Sequence, residues 1–137
     1  MGFTTAQVKS LTGLSTRQLE YFEQTGLLVP SIRHKQGKGH NRLYSFRDLI
    51  VLRIIAQLHQ EQHVSLQSVR RAVAYIHNAE GFEVSQAVLV VNGDDIMFVN
   101  RDQSLTSLIK HPRQLMWVLD IRAVTQDLQE QMQSVPQ

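Results

Sequence analysis

The sequence predicts an α+β fold in which a helical N-terminal part precedes a smaller, β-containing part. In the first part, apolar residues recur at helical spacing behind residues suited to capping helices. Further on, two β-branched apolar runs flank the turn signal Asn92-Gly93. We therefore expect two domains, one over residues 1–78 with four helices and a two-stranded ribbon, and one over residues 81–137 with the order β-β-α-β-α.

The first two predicted helices are short and are joined by a tight turn. Thr4 is a suitable N-cap for the first helix, and Gly13 is a natural stop. Ser15, followed three residues later by Gln18, forms the capping-box pattern that begins the second helix. Gly26 can end that helix in the left-handed conformation. This spacing predicts a helix-turn-helix.

A polar loop and two more helices complete the predicted N-terminal domain. Arg42-Leu43-Tyr44 has the pattern of a short strand, and its pairing with Leu28-Val29 would make a two-stranded ribbon with a long tip. We call the segment 28–44 the wing. Ser45 is suited to begin the third helix, and Ser65 to begin the fourth.

The C-terminal part is predicted from strand and helix signals in alternation. Residues 87–91 and 96–99 are apolar runs on either side of Asn92-Gly93, a turn whose two central positions need positive φ. The expected elements after the hairpin are a short helix over 105–109 that stops before Pro112, a third strand over 115–119 and a last helix capped by Asp120.

Charge is distributed unevenly along the 137 residues, although the net charge is only +2. Residues 1–80 carry ten Lys or Arg and five Asp or Glu, whereas residues 81–137 carry four and seven. Between residues 33 and 47 there is no acidic residue, and the cations are Arg33, Lys35, Lys38, Arg42 and Arg47. Five fixed positive charges around a glycine-containing loop are the electrostatic footprint of a phosphate-binding surface.

The start of the second predicted helix carries polar side chains suited to reading DNA. N-terminal residues of a recognition helix reach the major groove. The guanidinium of Arg17 can form a bidentate hydrogen bond with a guanine edge or a phosphate. Thr16, Gln18 and Tyr21 can add hydrogen bonds. Together with the wing, this helix predicts a surface that binds double-stranded DNA.

These motifs in combination resemble the mercury-resistance regulator (MerR) family over about residues 3–77. The segments that carry the resemblance are Thr5-Ala6-Gln7-Val8, Leu14-Ser15-Thr16-Arg17-Gln18-Leu19-Glu20-Tyr21-Phe22-Glu23, Gly26-Leu27-Leu28-Val29-Pro30, Asn41-Arg42-Leu43-Tyr44-Ser45 with Asp48-Leu49, and Ser65-Leu66-Gln67-Ser68-Val69. The resemblance implies a winged helix-turn-helix in which Arg17 and Tyr21 face DNA. It also implies that Arg42 contacts the DNA backbone and that Tyr44 supports the wing.

The sequence departs from the family pattern in three places. Glu20 stands where many members have Arg, and His40-Asn41 replaces a common Gly-Tyr in a wing that is longer than usual. After residue 78, typical members continue into a long helix that pairs as an antiparallel coiled coil, whereas this chain turns into predicted strands. We therefore expect the acidic segment 81–137 to form the dimer contact.

These features predict a cytoplasmic, homodimeric transcriptional repressor that binds a palindromic operator. Two-fold symmetry is the usual way in which a small winged module gains affinity. The chain has no cysteine, which excludes thiolate metal sensing, and the 57 residues after Glu80 leave little room for an effector pocket beside an interface. The N-terminus lacks the pattern of a secretory signal, and no apolar run reaches membrane-spanning length.

Two alternatives stay open on the sequence alone: an excisionase-like accessory protein that bends DNA, and a DNA-binding antitoxin whose C-terminal half neutralises a partner protein. An enzyme is not expected, because no nucleophile–base pair or glycine-rich phosphate loop stands out. His59 and His63 lie four residues apart, but two imidazoles without a third ligand do not make a metal site. No metal and no cofactor are therefore expected.

Overall fold

The computed structural model describes residues 2–33, 41–79, 82–93, 95–99 and 117–133. Its first helices are α1 (Thr5–Thr12), α2 (Thr16–Thr25), α3 (Phe46–Ala56), which continues into a π-helical turn over Gln57–Glu61, and α4 (Leu66–Asn78). There follow a 3₁₀ turn over Val84–Gln86, strands β1 (Val88–Asn92), β2 (Asp95–Val99) and β3 (Trp117–Asp120), and helix α5 (Ile121–Met132). The mixed fold of helices with a small antiparallel sheet agrees with the predicted class.

Local capping interactions fix where the first three helices begin. In each, the N-cap hydroxyl accepts a hydrogen bond from the backbone N–H three residues on, whose side chain bonds back to the N-cap N–H. The N-caps are Thr4, Ser15 and Ser45, and their partners are Gln7, Gln18 and Asp48. α1 and α2 end at Gly13 and Gly26, whose φ angles of 78° and 75° favour glycine. The predicted caps of these helices are confirmed.

The wing pairs differently from the sequence prediction. Leu43 donates its N–H to the Arg33 carbonyl at 2.7 Å and accepts from the Arg33 N–H at 3.1 Å. Tyr44 exchanges two backbone hydrogen bonds with Phe3. The predicted pairing with Leu28-Val29 is wrong, because Leu28 is buried and its N–H bonds back to the last turn of α2. The segment after α2 therefore closes the core, and the wing pairs further along the chain.

The antiparallel sheet has the order β2-β1-β3, so β1 lies in the centre and the outer strands run parallel to each other. Asn92 pairs with Asp95, so the turn begins at Gly93, one residue later than predicted, because Asn92 still belongs to the ladder. Gly93 has a φ of 62°. The last helix begins at the predicted cap, Asp120. The helix predicted over 105–109 lies outside the described residues.

One hydrophobic core joins the N-terminal helices to the sheet and to α5. Leu89 on the inner side of β1 and Leu128 of α5 belong to the same buried cluster as Leu52 and Ile55 of α3. α5 packs against both α3 and α1. The division into domains 1–78 and 81–137 stays a prediction, and the shared core means that each part covers apolar surface of the other.

Arg53 of α3 ties α5 to the end of α1. Its Nη1 donates to the Leu11 carbonyl at 2.7 Å, and its Nη2 donates to Asp127 Oδ2 at 2.8 Å. The Leu11 carbonyl belongs to the last turn of α1, which lacks helical partners and favours a cation. Arg53 thereby holds the helix-turn-helix against the C-terminal helix.

We expect Arg53→Met to lower the free energy of unfolding by about 1–3 kcal/mol, because the Leu11 carbonyl and Asp127 both lose a charged donor. Asp127→Asn should cost less than about 1 kcal/mol, because 46% of the Asp127 side chain is exposed. Urea denaturation of the two variants of the full chain measures both values. A larger loss for Asp127→Asn than for Arg53→Met would contradict this account.

Candidate nucleic-acid interface

The N-terminal half of α2 lies on the surface directly after the turn that joins it to α1. Leu19 and Phe22 are buried in the core, so the opposite side of α2 faces solvent. Arg17 and Tyr21 lie one helical turn apart on that exposed side, where 45% of Tyr21 is accessible. Their placement is the one that a groove-binding helix requires.

Arg17 is placed against the dipole of its own helix. It occupies the second position of α2, where a positive charge is unfavourable, and the first turn contains no acidic residue. Within the described residues, Arg17 makes no ion pair. An approaching phosphate or guanine edge would supply the missing acceptor, so this position favours anion binding over stability.

Gln18 and Thr16, the other predicted contacts on α2, lie close to the capping box. Gln18 Oε1 accepts from the Ser15 N–H at 2.9 Å, and the Gln18 N–H donates to Ser15 Oγ at 3.1 Å. The side-chain oxygen of Gln18 is therefore engaged at the start of α2. The side-chain NH2 group remains as the donor for a base contact. Thr16 is half-buried at the first position of the helix.

An ion pair links α2 to the wing. Arg42 Nε lies 2.6 Å from Glu23 Oε1, and the two side chains are only 12% and 16% exposed. Removing either partner would leave a largely buried charge uncompensated, so the pair fixes the wing relative to α2. The predicted contact of Arg42 with the DNA backbone requires its guanidinium to serve Glu23 and a phosphate together, which its five N–H donors allow.

Sequence reasoning missed Glu23, because the two partners of this ion pair are 19 residues apart along the chain. The Oε2 atom of Glu23 is buried and has no hydrogen-bond partner in the part of the chain that the structure describes. The ion pair with Arg42 therefore supplies most of the stabilisation of the buried negative charge of Glu23.

Tyr44 is a core residue, which corrects its inclusion among the DNA-contacting side chains. It is 1% exposed, and its hydroxyl has no hydrogen-bond partner among the described residues. Burial raises the pKa of Tyr44 from 10.0 to about 12, and the nearby Arg42 charge opposes part of that rise. Its backbone pairing with Phe3 agrees with a supporting role at the base of the wing.

Tyr44→Phe should leave the free energy of unfolding unchanged at neutral pH or raise it by up to about 1 kcal/mol, since the buried hydroxyl has no partner to lose. Because burial penalises the phenolate, the original protein keeps its full stability below pH 10.0 and loses stability as the pH rises through about 12. The variant should lack that alkaline loss.

Urea denaturation at several pH values between neutrality and about 12 measures the difference between the two proteins. A variant that is clearly less stable at neutral pH would mean that the hydroxyl has a partner.

The predicted cations of the wing have different surroundings. Arg33 is exposed, and its Nε donates to the Asn41 carbonyl at 2.7 Å, across the base of the wing. Arg47 instead donates from Nη2 to the Ile76 carbonyl at 3.1 Å, near the end of α4. Lys35 and Lys38 lie outside the described residues. The structure therefore keeps Arg33 and Arg42 on the wing and gives Arg47 another contact.

The two histidines of the π-helical turn region do not point to a shared ligand. His59 Nδ1 lies 2.9 Å from the Val64 carbonyl, and His63 adopts a φ of 57°. Among the described residues, no three His, Asp or Glu side chains are grouped as a metal site would need. In the same residues, no helix combines the length and apolarity that crossing a bilayer demands.

Comparison with known families agrees with this geometry. The family described as MerR HTH family regulatory protein matches residues 3–76, which is more than half of the chain. The chain belongs to the MerR HTH family. The matched range contains α1 to α3, most of α4 and both described ends of the wing, so the resemblance found in the sequence is confirmed.

Curated relatives of this MerR family member carry the similarity beyond α4. An uncharacterized HTH-type transcriptional regulator of Mycobacterium bovis is 30% identical over 110 residues, which are 80% of this chain and 48% of that protein. A regulator of the same description from Mycobacterium tuberculosis gives the same figures. The HTH-type transcriptional regulator GlnR of Bacillus cereus is 28% identical over 97 residues, 70% of this chain and 71% of GlnR. The chain spans about half the length of the mycobacterial relatives.

Proposed function

We propose that this MerR family member is a transcriptional regulator that binds double-stranded DNA and acts as a homodimeric repressor at a palindromic operator. The observation that carries the proposal is the exposed start of α2, with Arg17 and Tyr21 on one face, joined to the wing by the Arg42–Glu23 ion pair. Family membership and the descriptions of the relatives, which are HTH-type transcriptional regulators, support the DNA-binding and regulatory part of this proposal.

The two parts of this surface have different tasks on DNA. α2 enters the major groove, where a base edge or a phosphate gives Arg17 the acceptor that no described residue provides. Arg33 on the wing contacts the flanking phosphates, which position the protein without reading sequence. Because Arg42 is paired with Glu23, the angle between the wing and α2 is already set in the free protein. Binding to DNA therefore costs little additional conformational entropy at this contact.

Repression is the regulatory effect that we assign. A dimer that occupies a promoter can exclude polymerase without any further contact. The chain has no cysteine, so a thiolate metal or redox switch that would turn an activator on is excluded.

We expect Arg17→Ala and Arg33→Ala to weaken operator binding in different ways. Arg17→Ala should cost about 1–3 kcal/mol and relax the preference for the operator over unrelated duplexes. Arg33→Ala should weaken binding to all duplexes similarly and reduce the slope of log affinity against log salt by about one. Selection of an operator from random duplexes with the full chain, followed by fluorescence anisotropy at several salt concentrations, measures these effects.

Arg17→Lys is the matched control, because it keeps the charge and removes the forked donor geometry. It should retain the salt slope of the original protein and lose specificity. Both arginines are exposed, and Arg17 stands against the dipole of its helix, so none of the variants should melt at a lower temperature than the original protein. If both alanine variants bind like the original protein, this surface is not the DNA-binding surface.

The outer face of the sheet is the surface to which we assign the second copy. Leu89 of β1 points into the core, whereas its neighbour Val90 lies on the other face, paired with Met97 on one side and Val118 on the other. Met97 and Val118 are 39% and 42% exposed. Val90 itself is buried, so the exposed apolar side chains of this face are Met97 and Val118 on the two outer strands. Exposed apolar side chains on a sheet are typical of an interface, and a winged module with few base contacts needs a second half-site.

Val118→Glu should convert the dimer into a monomer and lower affinity for the palindrome while leaving affinity for an isolated half-site unchanged. Ala123→Glu adds the same charge on the exposed side of α5 and should remain dimeric. Sedimentation equilibrium of the full chain measures the mass of each protein. If the original protein is a monomer, it has no such interface. If the Val118→Glu variant is still a dimer, the interface lies elsewhere.

A further inference from the structure

A cavity of about 430 Å³ lies where α3, the 3₁₀ turn and α5 meet. Its volume is within the range of small-molecule sites, about 300–1,000 Å³. Both halves of the chain contribute to it. Apolar side chains from Phe46, Ile50 and Val84 line part of the cavity, and Thr125 and Gln126 add polar groups.

Two arginines from different helices line the same cavity. Arg47 is the second residue of α3 and Arg122 is the second residue of α5, and both are exposed. The Arg122 guanidinium has no ion pair or hydrogen bond within the described residues. Arg47 uses Nη2 on the Ile76 carbonyl, which leaves four N–H donors of its guanidinium for other partners. An anion bound in this cavity would be attracted by both positive charges.

The acidic residue of the lining does not neutralise these arginines. Glu83 Oε1 accepts from Ser85 Oγ at 2.9 Å and from the Ser85 N–H at 3.4 Å, so it is engaged within the 3₁₀ turn. Among the described residues, Glu83 makes no ion pair with Arg47 or Arg122. The charged groups that line this cavity therefore have an excess of positive charge.

We propose that this cavity binds a small organic anion. Arg47 and Arg122 hold its carboxylate or phosphate group, because guanidinium groups pair with planar or tetrahedral oxyanions through two donors. The apolar part of the ligand packs against Phe46 and Ile50. The expectation that the C-terminal segment has little room for an effector pocket considered that segment alone, whereas three of the 11 lining residues, Phe46, Arg47 and Ile50, come from the N-terminal half.

Ligand binding here would act on the wing, and this step rests on the proposed DNA-binding function. Asp48, one residue after Arg47, accepts from the Ser31 N–H at 2.8 Å and from Ser31 Oγ at 2.6 Å. The first turn of α3 thus holds the base of the wing on one side and lines the cavity on the other. By linkage, a ligand that binds the DNA-bound and free forms unequally changes operator affinity by the same factor.

The binding step is tested on the full chain by nuclear magnetic resonance, without DNA. The probes are phenyl phosphate, benzoate and benzamide. They share one aromatic ring and carry a phosphate, a carboxylate and an uncharged amide, respectively. We expect phenyl phosphate or benzoate to shift the Arg47 and Arg122 Nε–Hε signals and the Thr125 amide at millimolar concentration, while benzamide leaves them unchanged. The tighter binder of the two anions identifies phosphate or carboxylate as the natural group.

Arg122→Gln should weaken anion binding by about tenfold, the loss expected from one charge-assisted pair. Arg71→Gln, an exposed arginine of α4 outside the cavity, should bind like the original protein. The proposal is overturned if neither anion shifts these signals, if benzamide shifts them equally, or if Arg122→Gln binds with unchanged affinity. Because no DNA is present, these outcomes are independent of the proposed function.

Discussion

The nearly complete burial of α3 is the constraint on which the rest of the molecule depends. Eight of its 11 residues are buried, and a helix that is apolar on all sides must be covered on all sides. α1 covers one side and α5 covers another. Its first turn holds the base of the wing through Asp48, and Arg53 in its last turn bonds to both neighbouring helices. Removing any of these covers would leave apolar surface of α3 in water.

Features that depend on neighbouring residues could be predicted from the sequence, and features that depend on distant residues could not. The helix starts at Thr4, Ser15 and Ser45 follow from hydroxyl groups three residues before their partners, so the local pattern contains them. The pairing of Arg33 with Leu43 and the burial of Tyr44 depend on which distant segments pack against each other. No periodicity along the chain reports that choice.

The candidate sites differ from the scaffold in how charge is placed. Arginine stands at the second position of α2, α3 and α5, where an acidic residue would be more stabilising. Two of these three helices have no acidic residue in the first turn. Arg17 is on the surface assigned to DNA, and the other two share one cavity. The chain thus gives up some helix stability at the positions where anions are expected to bind, a common exchange between stability and function.

The continuous core has a consequence for how this chain can vary in evolution. A winged module whose hydrophobic core is complete in itself can be joined to different C-terminal segments by recombination. Here Leu128 of α5 and Leu52 of α3 belong to one buried cluster, so exchanging the C-terminal segment would require new residues on α1 and α3 as well. The two halves are therefore expected to diversify together, through compensating substitutions across the α3–α5 contact, and not by the shuffling of whole segments.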